Sequence, residues 1–227
     1  MRAALSVIIP TLNAAQGLPA CLAALIEGLE AGLIRELILS DGGSGDATLQ
    51  IADAVGAVIV QGAPSRGGQL RRGAQVAGGE WLLFLHADTV LPAGWTAAVR
   101  AQMDRGAPAA FRLSYDAAGV MPQIVSGWAN LRSRYLGLPY GDQGLLVSRA
   151  DYDATGGYPD IPLMEDVAMA RALRGRIALL PLSVTTSAAR YRRGGWLRRG
   201  TRNLILLIRY LCGADPARLA ARYRRSE

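Results

Sequence analysis

Apolar positions recur along this chain in two alternating rhythms. Residues 5–10 (LSVIIP), 36–40 (ELILS), 57–61 (AVIVQ) and 81–88 (WLLFLHAD) are short, nearly continuous apolar runs rich in β-branched and aliphatic side chains. Such runs predict strands. Between them, residues 14–32 (AAQGLPACLAALIEGLEAG), 41–55 (DGGSGDATLQIADAV) and 67–79 (GGQLRRGAQVAGG) space their apolar residues three and four apart, as helices do. Ser44 or Asp46 is the expected N-cap of the second helix. Strand and helix in alternation predict an α/β domain with parallel strands joined by helical crossovers.

Parallel strands end along one edge of their sheet, and ligands of open α/β sheets bind in the crevice there. The polar residues that close these strands, Thr11, Asn13, Asp41, Arg66, His86 and Asp88, are therefore expected to converge. Carboxylates, one imidazole and one guanidinium among Gly-rich turns suit a nucleoside diphosphate with a metal ion.

The second half is less regular. Residues 109–115 (AAFRLSY) and 144–148 (GLLVS) read as strands and 124–137 (IVSGWANLRSRYLG) as a helix. Residues 164–175 (MEDVAMARALRG) read as a helix opened by acids and closed by Arg174 and Gly175, which suit the helix dipole and C-cap. The stretch between Tyr115 and Tyr140 is expected to shape an acceptor pocket. Residues 203–213 (NLILLIRYLCG) are strongly apolar but interrupted by Arg209, too short for a membrane span.

Composition narrows the class. Of the 227 residues, 51% are apolar and 19% charged, which excludes a disordered chain and allows one sizeable core. No segment reads as a linker. The formal charge is +7, yet all 25 basic residues are arginine, so arginine count alone says little. Its placement says more, because beyond Ile177 the acids are only Asp215 and Glu227. Two cysteines without CxxC spacing, and an apolar run at 5–9 shorter than a signal core, lead us to expect a reduced, cytoplasmic protein, with the inner membrane face as a peripheral location.

The segments VIIPTLN, LSDGGSGDAT, RGGQLRRGAQVAGGEWLLFLHAD, GDQG and GGYPDIPLMEDVAMARAL together resemble the family 2 glycosyltransferases with the GT-A fold. Within them the chain is similar to the short bacterial branch whose metal motif reads HAD in place of DxD. The likeness runs from Leu5 to about Leu173. It implies one Rossmann-like, mainly parallel GT-A domain over residues 1–227. Residues 1–105 would form the nucleotide-sugar half, 106–190 the acceptor and catalytic half, and 191–227 a basic, apolar helical tail.

By the same resemblance, Pro10, Thr11 and Asp41 form the nucleotide pocket, with Asn13, Gly67 and Ala87 beside them. Arg66 and Arg71 approach the base or diphosphate. Asp88 matches the last carboxylate of DxD and holds Mg²⁺ or Mn²⁺, while His86 replaces the first. Asp166 matches the aspartate of the ED pair, the general base of inverting members. Asp142 and Gln143 of GDQG offer groups to sugar hydroxyls.

The residues argue the same division. Displacement at an anomeric carbon requires charge to be spread on the leaving diphosphate and a proton to be taken from the incoming hydroxyl. Asp88 binds a hard cation through oxygen, with His86 as a second ligand or as the holder of a metal-bound water. Asp166 serves as base, and Glu165 orients the acceptor or exchanges roles with it. The expected partners are a nucleotide-sugar donor, a UDP-sugar first, and a hydroxyl acceptor.

Plainer readings stand beside these. His86 caps a strand, Asp41 and Asp46 stabilise turns, and Glu165 and Asp166 complement a helix dipole. The tail lies along an anionic bilayer, joins a second protomer or packs on the core, the last two favoured, and Arg192 and Arg193 are placed to fold over donor phosphates. A nucleotidyltransferase would want a glycine-rich, basic loop after the first strand, which PTLNAAQG lacks. A membrane or nucleic-acid binding module is the other alternative, but the acidic strand ends would repel nucleic-acid phosphate and few aromatics interleave the basic run, so no nucleic acid is expected.

Overall fold

The computed structural model describes residues 3–173 and 175–224; the expectation placed on Arg174 lies outside the described residues. The first half alternates as expected: β1 (Leu5–Thr11), α1 (Leu18–Glu30), β2 (Ile34–Asp41), α2 (Thr48–Ala54), β3 (Val58–Gln61), α3 (Arg66–Val76) and β4 (Trp81–Phe84). These four strands are parallel. The second half adds β5 (Thr89–Val90), α4 (Trp95–Asp104), β6 (Ala109–Tyr115), α5 (Val120–Leu136), β7 (Leu145–Ser148), α6 (Arg149–Ala154), α7 (Glu165–Ala172), β8 (Ala178–Thr186), α8 (Ala189–Gly194), α9 (Trp196–Leu211) and α10 (Pro216–Arg224). One sheet results, in the order β3-β2-β1-β4-β7-β6-β8-β5. It is mixed, since β7 runs against β4 and β6, and β5 against β8.

The apolar runs explain the layers. Leu5, Val7 and Ile9 of β1 join Leu18, Leu25, Trp95 and Val99 on one face of the sheet. Ile8 points the other way, to Leu70, Ala74, Tyr152 and Met169. A strand buried on both faces needs no polar alternation, which is why the runs of β1 and β4 are continuous; β3, at the edge of the sheet, departs from this and leaves Val58 44% exposed. A third cluster, Leu138, Met164, Val167, Leu206, Leu207 and Leu219, seats α9 and α10 on α7. Among the described residues no helix is long and apolar enough to cross a membrane.

Several boundaries depart from the pattern. The strand expected over 81–88 stops at Phe84, because its pairing with β1 ends at Ile8. One more bond, Leu85 N–H to the Ile8 carbonyl (3.0 Å), precedes a turn in which Thr89 N–H bonds the His86 carbonyl (3.0 Å). His86, Ala87 and Asp88 are thus freed at the sheet edge. The N-cap position of α2 is Ala47, while Asp46 accepts from Thr48 N–H at 3.0 Å and from Ala15 N–H, and Ser44 turns to Asp41. α5 begins at Val120, ahead of the expected 124, with Pro122 in its first turn, where a missing N–H is free of cost. The pattern did not predict β8, whose Pro181 breaks the run. Its pairing with β6 is irregular between Ala110 and Arg112, and Pro181 falls in that irregular stretch.

Candidate active site

At the ends of β1 and β2 two loops are laced together. Asn13 N–H donates to Ser44 Oγ (2.8 Å), Gly45 N–H to Asn13 Oδ1 (2.9 Å) and Ala14 N–H to Thr48 Oγ1 (2.8 Å). Asn13 adopts φ 50°, a left-handed conformation that asparagine tolerates better than most residues. Asp41 is fully buried at the centre. Its Oδ1 accepts from Thr11 Oγ1 (2.9 Å) and Ser44 Oγ (2.5 Å), and its Oδ2 from the N–H groups of Gly43 and Ser44 (both 2.8 Å). Burial alone would raise its pKa, but these bonds to the charged form outweigh it and hold the carboxyl below its usual range. From beneath, Gln69 Nε2 donates to the carbonyls of Thr11 (2.7 Å) and Ser40 (2.8 Å), tying both strand ends to α3.

The start of α3 forms a second junction. Ser65 caps the helix, accepting from Gly68 N–H at 3.3 Å, and its hydroxyl donates to Asp160 Oδ1. Gly67 lies against the backbone at Pro159, with no room for a side chain, and Gly68 against the Asp160 carboxylate. This contact carries the loop ahead of α7 to the first half of the chain. It brings Glu165 and Asp166 to Arg66.

Those three residues meet His86, Asp88 and Asp142 around one cleft, a cavity of about 170 Å³. A methyl on Gly141 would stand 2.5 Å from His86 Nε2, so the GDQG turn rests on the imidazole. Gly141 N–H donates to Asp166 Oδ2 (3.0 Å) and Val167 N–H to Asp166 Oδ1 (2.7 Å), which fixes that carboxylate. Burial, then the charge of Arg66, pushes His86 down to about 4, so its ring is neutral at ordinary pH. Burial and the neighbouring Asp166 push Glu165, 2% exposed, up to about 7. Arg66 is disfavoured as a cation by burial, but Glu165, Asp166 and Asp88 outweigh this and raise its pKa. Arg66 as a whole is exposed, yet it lines the cleft together with these carboxylates.

Not every expected residue reaches this cleft. Pro10, Thr11, Asn13, Asp41 and Ala87 lie at the adjoining strand ends, Arg71 is exposed on α3, and none of them lines the cavity. Gly67 is a packing position. Gln143 is fully buried, donating to the Phe111 carbonyl (3.0 Å) and accepting from Ser133 Oγ (2.7 Å), Arg132 (3.2 Å) and Tyr140 N–H (3.3 Å). Its amide holds the turn from a fully buried position, off the cleft lining. Arg192, expected over the phosphates, bonds Asp116 instead.

Sequence reasoning missed Arg190, Tyr140, Tyr115 and Trp128, all on the cleft wall. Arg190 follows the unpredicted β8, so only the neighbouring arginines drew notice. Tyr115, Tyr191 and Trp196 form an aromatic group, with Tyr191 stacked on Trp196 at 4.8 Å. The stretch between Tyr115 and Tyr140 is largely the regular helix α5, whose Val125, Trp128, Ala129 and Arg132 line the cleft.

No three His, Cys, Asp or Glu side chains among the described residues are arranged to enclose a metal ion. A Mg²⁺ or Mn²⁺ that shares its coordination with phosphates and water needs only one or two carboxylates. Asp142 Oδ1 is buried without a hydrogen-bond partner, and its carboxyl is raised to about 6 by burial and by Asp166 and Asp88, against Arg132. A buried orphan oxygen beside two further carboxylates fits a cation in this cleft.

The family described as Glycosyl transferase family 2 matches residues 6–130. The chain belongs to the family 2 glycosyltransferases. A glycosyltransferase of PGL/p-HBAD biosynthesis from Mycobacterium bovis is 42% identical over 93 residues, 38% of this chain and 36% of that relative's length. The glucosyl-3-phosphoglycerate synthase of Mycobacterium tuberculosis, solved with Mn²⁺, UDP and glucosyl-3-phosphoglycerate, superposes with a TM-score of 0.65 at 19% identity over 93% of this chain and 81% of its own. The mannosyltransferase PcManGT from Pyrobaculum calidifontis, in complex with GDP-Man and Mn²⁺, gives 0.68 at 17% identity over 95% and 66%. At these identities the two structures establish the GT-A fold for the family member described here, with strand order 3-2-1-4 in its first half.

Proposed function

We propose that this family 2 chain is an inverting glycosyltransferase that passes a sugar from a nucleoside-diphosphate donor, UDP first among them, to a hydroxyl acceptor. The observation that carries the reading is the meeting, in one cleft, of Asp88 and His86 from the end of β4 with Glu165 and Asp166 from the head of α7.

The donor nucleotide lies along the ends of β1 and β2, beside Pro10, Thr11, Asn13 and Asp41. A base N–H bonding Asp41 takes the place of Ser44 on Oδ1. Arg66 and Arg190, both on the cleft wall, face the diphosphate and offset its charge. Asp88 and the neutral His86 would hold a Mg²⁺ or Mn²⁺, with Asp142 Oδ1 next to it. When bound, such an ion neutralises charge on the leaving diphosphate. Asp166, oriented by Gly141 N–H, takes the acceptor's proton, a contribution on the order of two to four powers of ten in rate. Glu165, buried and held at a raised pKa, positions Arg66 and the acceptor side of the cleft. An acceptor lies against Tyr115, Trp128 and Tyr140.

The test is thermal unfolding of the chain with UDP, GDP or dTDP, each with Mn²⁺, Mg²⁺ or a chelator, followed by assay of nucleotide release from the matching sugar donor. Metal-dependent stabilisation by one nucleotide and slow release of it from its sugar conjugate are expected. Absence of stabilisation by every nucleotide in the presence of metal overturns the reading.

A further inference from the structure

The outer surface of α5 is inverted relative to an ordinary surface helix. Val120, Ile124, Trp128, Leu131 and Tyr135 follow one another at spacings of four, four, three and four, so they share one face. They are 50% to 71% exposed. The opposite side, Pro122, Ala129, Arg132 and Ser133, is the buried one. α9 behaves alike, turning Leu206 and Leu207 inward while Leu197, Ile205, Ile208 and Leu211 stay 42% to 67% exposed. α5 and α9 pack against each other and both wall the cleft. Among the described residues, ten of the sixteen large apolar side chains that stand exposed are on these two helices, six on α5 and four on α9. Scattered exposed apolar residues need no explanation, but a concentrated face does.

Charge selects the occupant. Neither α5 nor α9 contains an Asp or Glu, and exposed Arg134, Arg198 and Arg209 stand around the apolar stripes. A second copy meeting this face across a twofold axis would set arginines against arginines. A negatively charged lipid surface accepts both the apolar stripe and its basic border, and Trp and Tyr suit the headgroup boundary. We infer that the α5/α9 face docks on an anionic bilayer, lying in the interface with the cleft beside it. The inference does not rest on the proposed chemistry.

Sedimentation of the full chain with phosphatidylcholine vesicles, with and without phosphatidylglycerol, tests it. Binding that requires phosphatidylglycerol and weakens with salt is expected. Ile124→Ser with Leu131→Ser should lower the partition coefficient roughly tenfold or more, whereas Ile26→Ser with Leu29→Ser on α1, equally exposed, should leave it unchanged. Arg198→Glu with Arg209→Glu should remove the lipid preference while the melting curve persists. No sedimentation, or equal loss from both serine pairs, overturns the inference. So does a dimer in light scattering that Ile124→Ser with Leu131→Ser dissociates while vesicles are ignored, which would assign the face to a second copy.

Discussion

The backbone of Gly67 passes so close to Pro159 that a methyl group on Gly67 would lie 1.9 Å from the Pro159 carbonyl oxygen. That contact and the Ser65–Asp160 hydrogen bond join the first half of the chain to the loop that delivers Glu165 and Asp166. Because the obstacle is backbone, it has little freedom to yield. Gly67→Ala is expected to cost about 1–3 kcal/mol of stability and to lower turnover further by moving the acidic pair away from Arg66. Chemical denaturation alongside donor turnover checks both; a variant as stable and active as the parent would remove the contact from the explanation.

Asp166 and Asp88 are expected to fail differently. Asp166→Asn has one amide oxygen for the two backbone N–H groups of Gly141 and Val167 and no basic oxygen, so transfer should drop by about two to four powers of ten while nucleotide still raises the melting temperature. Asp88→Ala should instead weaken the metal-dependent part of that rise. Melting curves with and without Mn²⁺, paired with a rate assay, separate the two, and normal turnover in Asp166→Asn excludes it as the base.

Glu165 makes stability depend on pH. Its ordinary pKa is 4.5 and its folded value about 7, so the folded state holds the proton more tightly than the unfolded one. The contribution is fully present below pH 4.5 and is lost as pH rises through 7. Glu165→Gln, which keeps the shape without the charge, should therefore gain on the parent as pH rises from 5 to 8, by on the order of 2 kcal/mol. Unfolding curves for both proteins across that range measure the difference, and a constant gap contradicts the buried, raised carboxyl.

Gly141 bears on His86 directly. A methyl there would meet Nε2 at 2.5 Å, so the ring, which lines the cleft, would be pushed from its position. Gly141→Ala should leave the melting temperature within a few degrees and cut turnover by about tenfold or more, the scale of a misplaced group in an active site. A crystal structure or the histidine NMR signals of the variant would report the displacement.

The alternation of continuous apolar runs with helical periods was sufficient to place four parallel strands and three helices, because strands packed in a sheet between helices keep an apolar composition, even β3 at the edge with Val58 44% exposed. The polar residues that follow those strands were legible too, although β4 stops at Phe84, ahead of His86 and Asp88. The second half was harder to read. β8 carries Pro181 where a central strand would not, and its toleration depends on an irregularity formed with β6. Arg190 could not be assigned without that strand.

Other roles were decided only by folding. GDQG reads as a ligand loop, yet Gln143 spends its amide on Phe111, Ser133, Arg132 and Tyr140, because a tight turn needs internal partners for its buried polar groups. RGG reads as a phosphate approach, yet the glycines make room for Pro159 and Asp160. The apolar face of α5 is written in its spacing, but whether a stripe points to the core or to solvent depends on how the helix is rotated on the sheet. Sequence by itself determined the alternating elements of the first half and which polar residues stand beyond its strands, since both follow from local side-chain pattern. Tertiary structure alone decided which glycines are packing sites, which polar groups are already satisfied and which apolar face is left open, since each of these depends on partners far away along the chain.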